Sequence, residues 1–287
     1  MKKTTILLLF ISISFFSFGQ YYYQLNSTAG QNPRGLNADD EFPLGAGLTT
    51  GWVSILGPSV ATPAWSSNQN IPFPFNFDAS PVTQYKVSST GVLTFTTSAT
   101  AVPAVTHSAL PSTSIPDKSV CIWGIQANGG NDRVVTKTFG TSPNRQHWIF
   151  FTSHSLNGGW SYWSIVLEES NDKIYIVDQR HSGTTGGVTM GIQINSTTAY
   201  SVTGSPAVLP VAGTNSAPTD NIFYEFTQGV LPAVEAEMET IQTPLFLVAG
   251  SHDITGNIEN RGSSAITSFD INYSVNNGTT VTQSLTG

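Results

Sequence analysis

Residues 71–77 read Ile-Pro-Phe-Pro-Phe-Asn-Phe, and residues 85–95 read Tyr-Lys-Val-Ser-Ser-Thr-Gly-Val-Leu-Thr-Phe. In the first stretch Ile71, Phe73, Phe75 and Phe77 recur at every second position. That is the period of a strand with one face buried. Pro72 and Pro74 fall on the other face. Proline has no ladder donor, so this strand belongs at a sheet edge. In the second stretch two apolar runs, 84–88 and 92–96, flank Ser-Ser-Thr-Gly, and Gly91 marks a hairpin turn.

The same signals spread outward in both directions. Strands are expected at 52–56, 120–126, 133–139, 146–154, 160–168, 173–179, 188–194 and 222–226, with turn residues between them. Residues 98–117 form a long loop rich in Pro, Ala, Ser and Thr. No stretch carries the 3.6-residue period of an amphipathic helix. The expected class is therefore all-β, a β-sandwich or jelly roll. Composition agrees. Charged residues make up only 10% of the chain, against about 25% in ordinary globular proteins. Thr, Tyr, Phe and Trp suit pleated half-buried surfaces, and Gly, Asn and Pro suit turns.

The ends carry different information. Lys2 and Lys3 precede an apolar run over 6–16, broken only by Ser12 and Ser14, and Ser17 and Gly19 have the spacing of a processing site. Residues 1–19 thus read as a signal peptide, with Gln20 the first mature residue. The run is too short for a membrane span, which needs about 20 apolar residues. No later run is long enough either, so no transmembrane span is expected in the mature chain. Residues 20–230 form the aromatic-rich sandwich. A break near 229–234 leads into an acidic segment with Glu235, Glu237 and Glu239. Beyond it, 266–275 alternates Phe269, Ile271, Tyr273 and Val275 on one face, and Asn276-Asn-Gly is a hairpin turn. An immunoglobulin-like domain needs about 100 residues. Residues 231–287 are therefore expected to be a partial, truncated domain of that kind.

Formal net charge is −7, and removal of Lys2 and Lys3 would give −7 − 2 = −9. No cluster of Lys or Arg is present to neutralise a phosphate backbone or an anionic bilayer, so nucleic acid and anionic membrane are excluded as partners.

The 71–95 stretch, with the later runs 134–140, 145–155 and 162–177, resembles an aromatic-rich N-terminal β domain of Bacteroidetes surface proteins. In that domain an F-x-F-x-F run precedes a "VSSNGxLTF" hairpin. Leu167, Glu169, Asn171 and Ile174 are the positions that answer to its later hairpin. Residues 254–287 resemble the immunoglobulin-like module of Bacteroidetes outer-membrane protein families and of proteins exported by the type IX secretion system. The resemblance implies a modular protein at the cell surface or secreted. It brings no catalytic residues.

The residues offer little chemistry of their own. His107, His147, His154, His181 and His252 show no metal-ligand spacing. His147 and His154 lie seven apart on one expected strand, which puts them on opposite faces. Cys121 sits in an apolar run and reads as a small core residue. Glu168 and Glu169 are adjacent and should point apart, whereas a glycosidase needs two carboxylates flanking one bond. Asp178 is a distant third carboxylate with nothing to link it to either. Ser182-Gly-Thr-Thr-Gly-Gly lacks the ending of a phosphate loop. The oxygen-rich stretches 37–41 and 128–132 read as Asx turns, with calcium as the alternative and no other cofactor indicated. The aromatic load is the strongest functional signal. Trp160 and Tyr162 share one face of their strand and Trp163 the other, so Trp160 and Tyr162 are the candidate glycan platform; core filling is the competing reading.

The expected function is a non-catalytic exported module, at the outer-membrane surface or extracellular, for adhesion, glycan binding or structural display. Its partner would be a glycan or a surface protein. The alternatives are an accessory region of an exported hydrolase and a plain spacer.

Overall fold

The computed structural model describes residues 20–26, 30–41, 51–60, 62–183, 186–242, 255–274 and 278–286, with only the backbone at 237 and 239–242. The signal peptide expected at 1–19, part of the Gly-rich stretch 182–187 and part of the Asn276-Asn-Gly turn lie outside them. The regular elements of the described chain are strands, apart from one short 3-10 turn at Pro33–Gly35. No helix among the described residues is long and apolar enough to cross a membrane.

Two compact units divide the chain, Met1–Gln228 and Gly229–Gly287. In the first, the strands are β1 (Tyr21–Asn26), β2 (Val53–Leu56), β3 (Gln69–Phe77), β4 (Ser80–Val87), β5 (Val92–Thr94) and β6 (Ser119–Trp123). Then follow β7 (Arg133–Phe139), β8 (Gln146–Leu156), β9 (Gly159–Glu168), β10 (Ile174–Ser182), β11 (Thr189–Asn195), β12 (Thr198–Ser201) and β13 (Ile222–Gln228). They form a seven-stranded sheet, β1-β13-β10-β9-β8-β7-β2, and a six-stranded sheet, β12-β11-β6-β5-β4-β3. Every pairing is antiparallel. One apolar core joins them: Phe73, Phe75, Phe77, Tyr85, Leu93 and Ile122 from the six-stranded sheet meet Ile149, Phe151, Trp163, Ile165, Ile176 and Phe226 from the other. The fold is an all-β sandwich.

β3 behaves as its sequence requires. Ile71, Phe73, Phe75 and Phe77 are buried, Pro72 and Pro74 are exposed, and β3 pairs with β4 alone at the sheet edge. The turn that follows is tighter than its residues suggest. Asp78 and Ala79 both take positive φ, 51° and 55°, the signs of a type I′ hairpin turn. Two side chains of the opposite sheet hold it, because Tyr21 Oη accepts the Asp78 N–H (3.1 Å) and Gln228 Oε1 accepts the Ala79 N–H (2.8 Å).

The Ser-Ser-Thr-Gly hairpin is buried rather than displayed. Ser88, Ser89 and Thr90 are at most 2% exposed. Ser88 Oγ accepts the N–H of Val92 (3.1 Å), Ser89 Oγ that of Ala64 (3.0 Å), and Thr90 Oγ1 donates to Pro103 O (3.1 Å). Gly91 has φ +89°, and a Cβ there would lie 2.1 Å from Ile122 O. The motif is thus a packed structural turn between β4 and β5, set against β6. The 98–117 loop covers it, tied down where Trp65 Nε1 donates to Ala101 O (3.0 Å), Trp123 Nε1 to Ala104 O (2.6 Å) and Gln193 Nε2 to Ser112 O (3.0 Å).

One expectation fails. His147 and His154 do not occupy opposite faces. Phe151 pairs with Trp163 and His154 with Ser161, so three residues of β8 oppose two of β9. The extra residue is a bulge at Ser153, φ 57°. It restores His154 to the core face, against the Phe151 ring at 5.5 Å, while His147 reaches the core through Tyr85 Oη (2.8 Å).

The second unit contains two hairpins. β14 (Ala236–Gln242) pairs with β15 (Thr255–Asn260), and β16 (Ser268–Tyr273) pairs with β17 (Val281–Thr286). None of its described residues is buried. The strand expected at 246–249 lies outside the described residues.

Candidate functional site

Sandwich sheets usually turn a polar face to water. The outer face of the seven-stranded sheet does not. Alternation along β8, β9 and β10 sends Trp148, Phe150, Tyr162, Val166, Tyr175 and Val177 outward, where they pack with Trp52 and Phe223 and border Phe139 and Trp160. The sheet therefore has a second, aromatic layer on the side away from the main core.

Trp160 and Tyr162 lie together on this face, edge to face at 5.4 Å and 88°. Trp163 points into the core. Tyr162 is only 4% exposed, while Trp160 is half-buried. Arg180 flanks both rings. Its guanidinium sits 5.3 Å from the Trp160 ring and 5.1 Å from the Tyr162 ring, and its Nη2 donates to Thr214 O (2.9 Å). Cations over aromatic faces are attracted by the ring quadrupole. A bulge between Asp178 and Arg180 delivers that guanidinium. Trp160 is the more exposed member of the pair, at the rim of the aromatic layer.

Polar groups crowd the same sheet end. Asp178 is 1% exposed, and its Oδ2 accepts the N–H groups of Val211 (2.6 Å) and Ala212 (3.1 Å). Asp220 Oδ2 accepts the N–H of Gly213 (3.0 Å). Glu41 is 1% exposed and accepts from Asn221 Nδ2, which also donates to Asn32 Oδ1 (2.8 Å). Burial pushes the Glu41 carboxyl up to about 8 and the Asp178 carboxyl to about 7, with the charge of Asp220 adding to both.

Glu168, Glu169 and His147 are engaged with partners, and Cys121 is shut away from solvent. Glu168 is fully buried and takes hydrogen bonds from Gln146 Nε2 (2.7 Å), Asn171 Nδ2 (2.9 Å), Tyr175 Oη (3.2 Å) and the half-exposed Arg34 (3.1 Å). Glu169 turns to Arg145 instead, with Nε and Nη2 donating at 2.8 and 2.6 Å, which lowers its carboxyl to about 2. The two carboxylates therefore serve different partners. Cys121 is fully buried, and burial raises its thiol far above the ordinary range. His147 shares hydrogen bonds with both Tyr85 and Thr138 (2.9 Å).

The two oxygen-rich stretches close on themselves. Asn37 Oδ1 accepts the Asp39 N–H (3.0 Å), and Asp39 Oδ2 accepts Trp52 Nε1 (3.0 Å) and Lys137 Nζ (2.6 Å). Asp132 Oδ2 accepts the N–H groups of Asn128 (2.9 Å) and Gly129 (2.7 Å). Among the described residues no group of three or more His, Cys, Asp or Glu could hold a metal ion.

Residues 57–228 match the family model described as NIDO related. The chain belongs to the NIDO-related family. The NIDO-related domain is a nidogen-like extracellular β domain. Here it spans β3 to β13, while β1, β2 and residues 30–41 lie outside the match. Trp160, Tyr162 and Arg180 fall within the NIDO-related domain; Glu41 does not. No curated protein and no solved structure matches the chain.

Sequence reasoning placed Trp160 and Tyr162 on one face. It missed Arg180, and it read Glu41 only as the end of an oxygen-rich stretch, not as a buried acid. Neither carries a local signal, because Arg180 is aimed by a bulge and Glu41 meets Asn221 across 180 positions of chain.

Proposed function

We propose that the chain is a non-catalytic exported module that attaches its bearer to a glycan or a surface protein through the rim around Trp160. The observation that carries the reading is the half-buried Trp160 ring at the edge of an aromatic sheet face, with the Arg180 guanidinium beside it. A flat apolar face next to hydrogen-bond donors suits a sugar ring. The NIDO-related match supports an extracellular setting. The spent hydrogen bonds of Glu168, Glu169 and His147 and the burial of Cys121 support a binding role over a catalytic one. The resemblance of 254–287 to outer-membrane immunoglobulin-like modules extends the proposal to display at a bacterial surface after type IX export.

Incubating the whole chain with immobilised polysaccharides and matrix proteins tests this. Retention without release of reducing ends is the expected result. Release of new reducing ends would overturn the non-catalytic part, and absence of retention on every surface would overturn the binding part.

A further inference from the structure

Residues 30–41 run as a strap over the outer face of the seven-stranded sheet. At one end the Gly30 N–H donates to Asn221 O (3.2 Å) beside β13. Further on, Arg34 pairs with Glu168 at the end of β9 (3.1 Å). Asp39 holds Trp52 Nε1 and Lys137 of β7. Finally the Glu41 N–H donates to Ser216 O (2.8 Å), and the Glu41 carboxyl meets Asn221. Beneath these contacts lies the aromatic layer that includes Trp148, Phe150, Tyr175 and Phe223. The strap itself is held mainly by polar contacts. Its ion pairs are partly exposed, Arg34 to 46%, and such pairs stabilise little. The buried tethers are Asn32 Oδ1 (2.8 Å) and the Glu41 carboxyl, both held by the Asn221 amide, and of the two only Glu41 can ionise.

That carboxyl sits in surroundings made for a neutral acid. Among the described residues its Oε2 has no hydrogen-bond partner. The charged groups that face it are Asp220, which opposes ionisation, and Arg180, which favours it; the Asn221 and Gln179 amides also favour it, and burial outweighs them. Ionised, Glu41 would be a charge buried to 1% exposure and outweighed in its favourable contacts by its burial, an arrangement folded proteins avoid.

We propose that the 30–41 strap is a pH-operated cover, in which ionisation of Glu41 in alkaline medium draws its carboxylate out of the buried site into water and uncovers the aromatic layer. The inference is independent of what binds at Trp160. The sign follows from linkage. The covered form holds its Glu41 proton up to about 8, whereas a solvated carboxyl loses it near 4.5. The cover is therefore fully latched below about 4.5 and progressively loosened as pH rises through 8. Between pH 6.5 and 9 those two values give an increase of about 30-fold in the opening equilibrium.

Hydrogen exchange of the whole chain, corrected for the intrinsic pH dependence of amide exchange, reads this directly. Protection of amides in 30–41 should fall by about 30-fold between pH 6.5 and 9, while amides of the β8–β9 pairing stay protected. In Glu41→Gln, which cannot ionise, strap protection should be flat over the same range. Asp178 also titrates in this region, but it tethers Val211 and Ala212 rather than the strap, so the Gln variant separates the two. Should that variant fold poorly, Asp220→Asn keeps the acceptor for Gly213 and removes the opposing charge, and the opening midpoint should move to lower pH. Equal strap protection at the two pH values would overturn the proposal. So would a Glu41→Gln profile with the wild-type slope, or an unmoved midpoint in Asp220→Asn.

Discussion

Substituting Gly91 by alanine should be among the most damaging single-methyl additions available to this chain. The cost has two parts, and a second glycine separates them. Gly91 has φ +89° and Gly158 has φ +92°, but a Cβ at Gly158 would meet nothing within 4 Å. The unfavourable dihedral costs about 1–2 kcal/mol at either position, offset by roughly 0.4–1 kcal/mol of lost freedom in the unfolded chain. Gly158→Ala should therefore cost on the order of 1 kcal/mol. At Gly91 the new methyl would lie 2.1 Å from Ile122 O and 2.9 Å from both Ile122 C and Ile125 Cγ1. The first two are main-chain atoms of β6 and the residue touching them cannot swing aside. Strand β5 must move away, straining the bonds from Ile122 N to Gly91 O (2.9 Å) and from Gly124 N to Thr90 O (3.1 Å). Two such buried bonds add about 2–3 kcal/mol, for a total near 3–4 kcal/mol. Urea unfolding followed by tryptophan fluorescence measures both variants. With a slope of about 2 kcal/mol/M, Gly91→Ala should lower the midpoint by roughly 1.5–2 M and Gly158→Ala by about 0.5 M. Equal midpoints for the two variants would refute the reading of the Ser-Ser-Thr-Gly hairpin as a packed joint.

Other outcomes follow from the same geometry. Ala79 holds φ 55° without the freedom of glycine, so Ala79→Gly should stabilise the chain by about 0.5–1 kcal/mol in the same assay. Burial holds His147 and His154 near 4 rather than 6.5. The folded state keeps both neutral, so their contribution is complete above about 6.5 and is lost as pH falls towards 4. A thermal melt series from pH 7 to 4 should show an acid decline, and His154→Leu should make it shallower; an unchanged acid limb in that variant would contradict the assignment. Tyr85→Phe removes a hydrogen bond to His147 in the core and should cost about 1–2 kcal/mol by urea unfolding.

Much of the sandwich could be read from its residues, and the failures have identifiable causes. β3 was legible because four apolar residues alternate with two prolines, so that period and edge position were declared together. β1 was not, since Tyr-Tyr-Tyr-Gln-Leu-Asn shows no alternation and its partner β13 lies some 200 positions away. The Asp78-Ala79 turn escaped notice because a type I′ turn normally announces itself with Asn-Gly. Asn157-Gly158 does carry that signal, between β8 and β9. His154 was placed on the wrong face because counting by twos assumes an unbroken ladder, and Ser153 breaks it. At the site, alternation was enough to put Trp160 and Tyr162 side by side. Their accessibility was not legible, since it depends on how residues from five strands pack around them in the outer aromatic layer, and the cation beside them is placed by the β10 bulge. Glu41 is the extreme case: an ordinary acidic residue in a polar stretch, given its character by the distant Asn221 and Asp220.

Calorimetric titration of the whole chain and of Trp160→Ala with a polysaccharide that retains the wild type tests the binding claim most directly. A surface aromatic anchor is worth about 2 kcal/mol, or roughly 30-fold in affinity. The expected result is that loss for Trp160→Ala with an unchanged urea midpoint. Wild-type affinity in Trp160→Ala would contradict a binding rim at this end of the sheet.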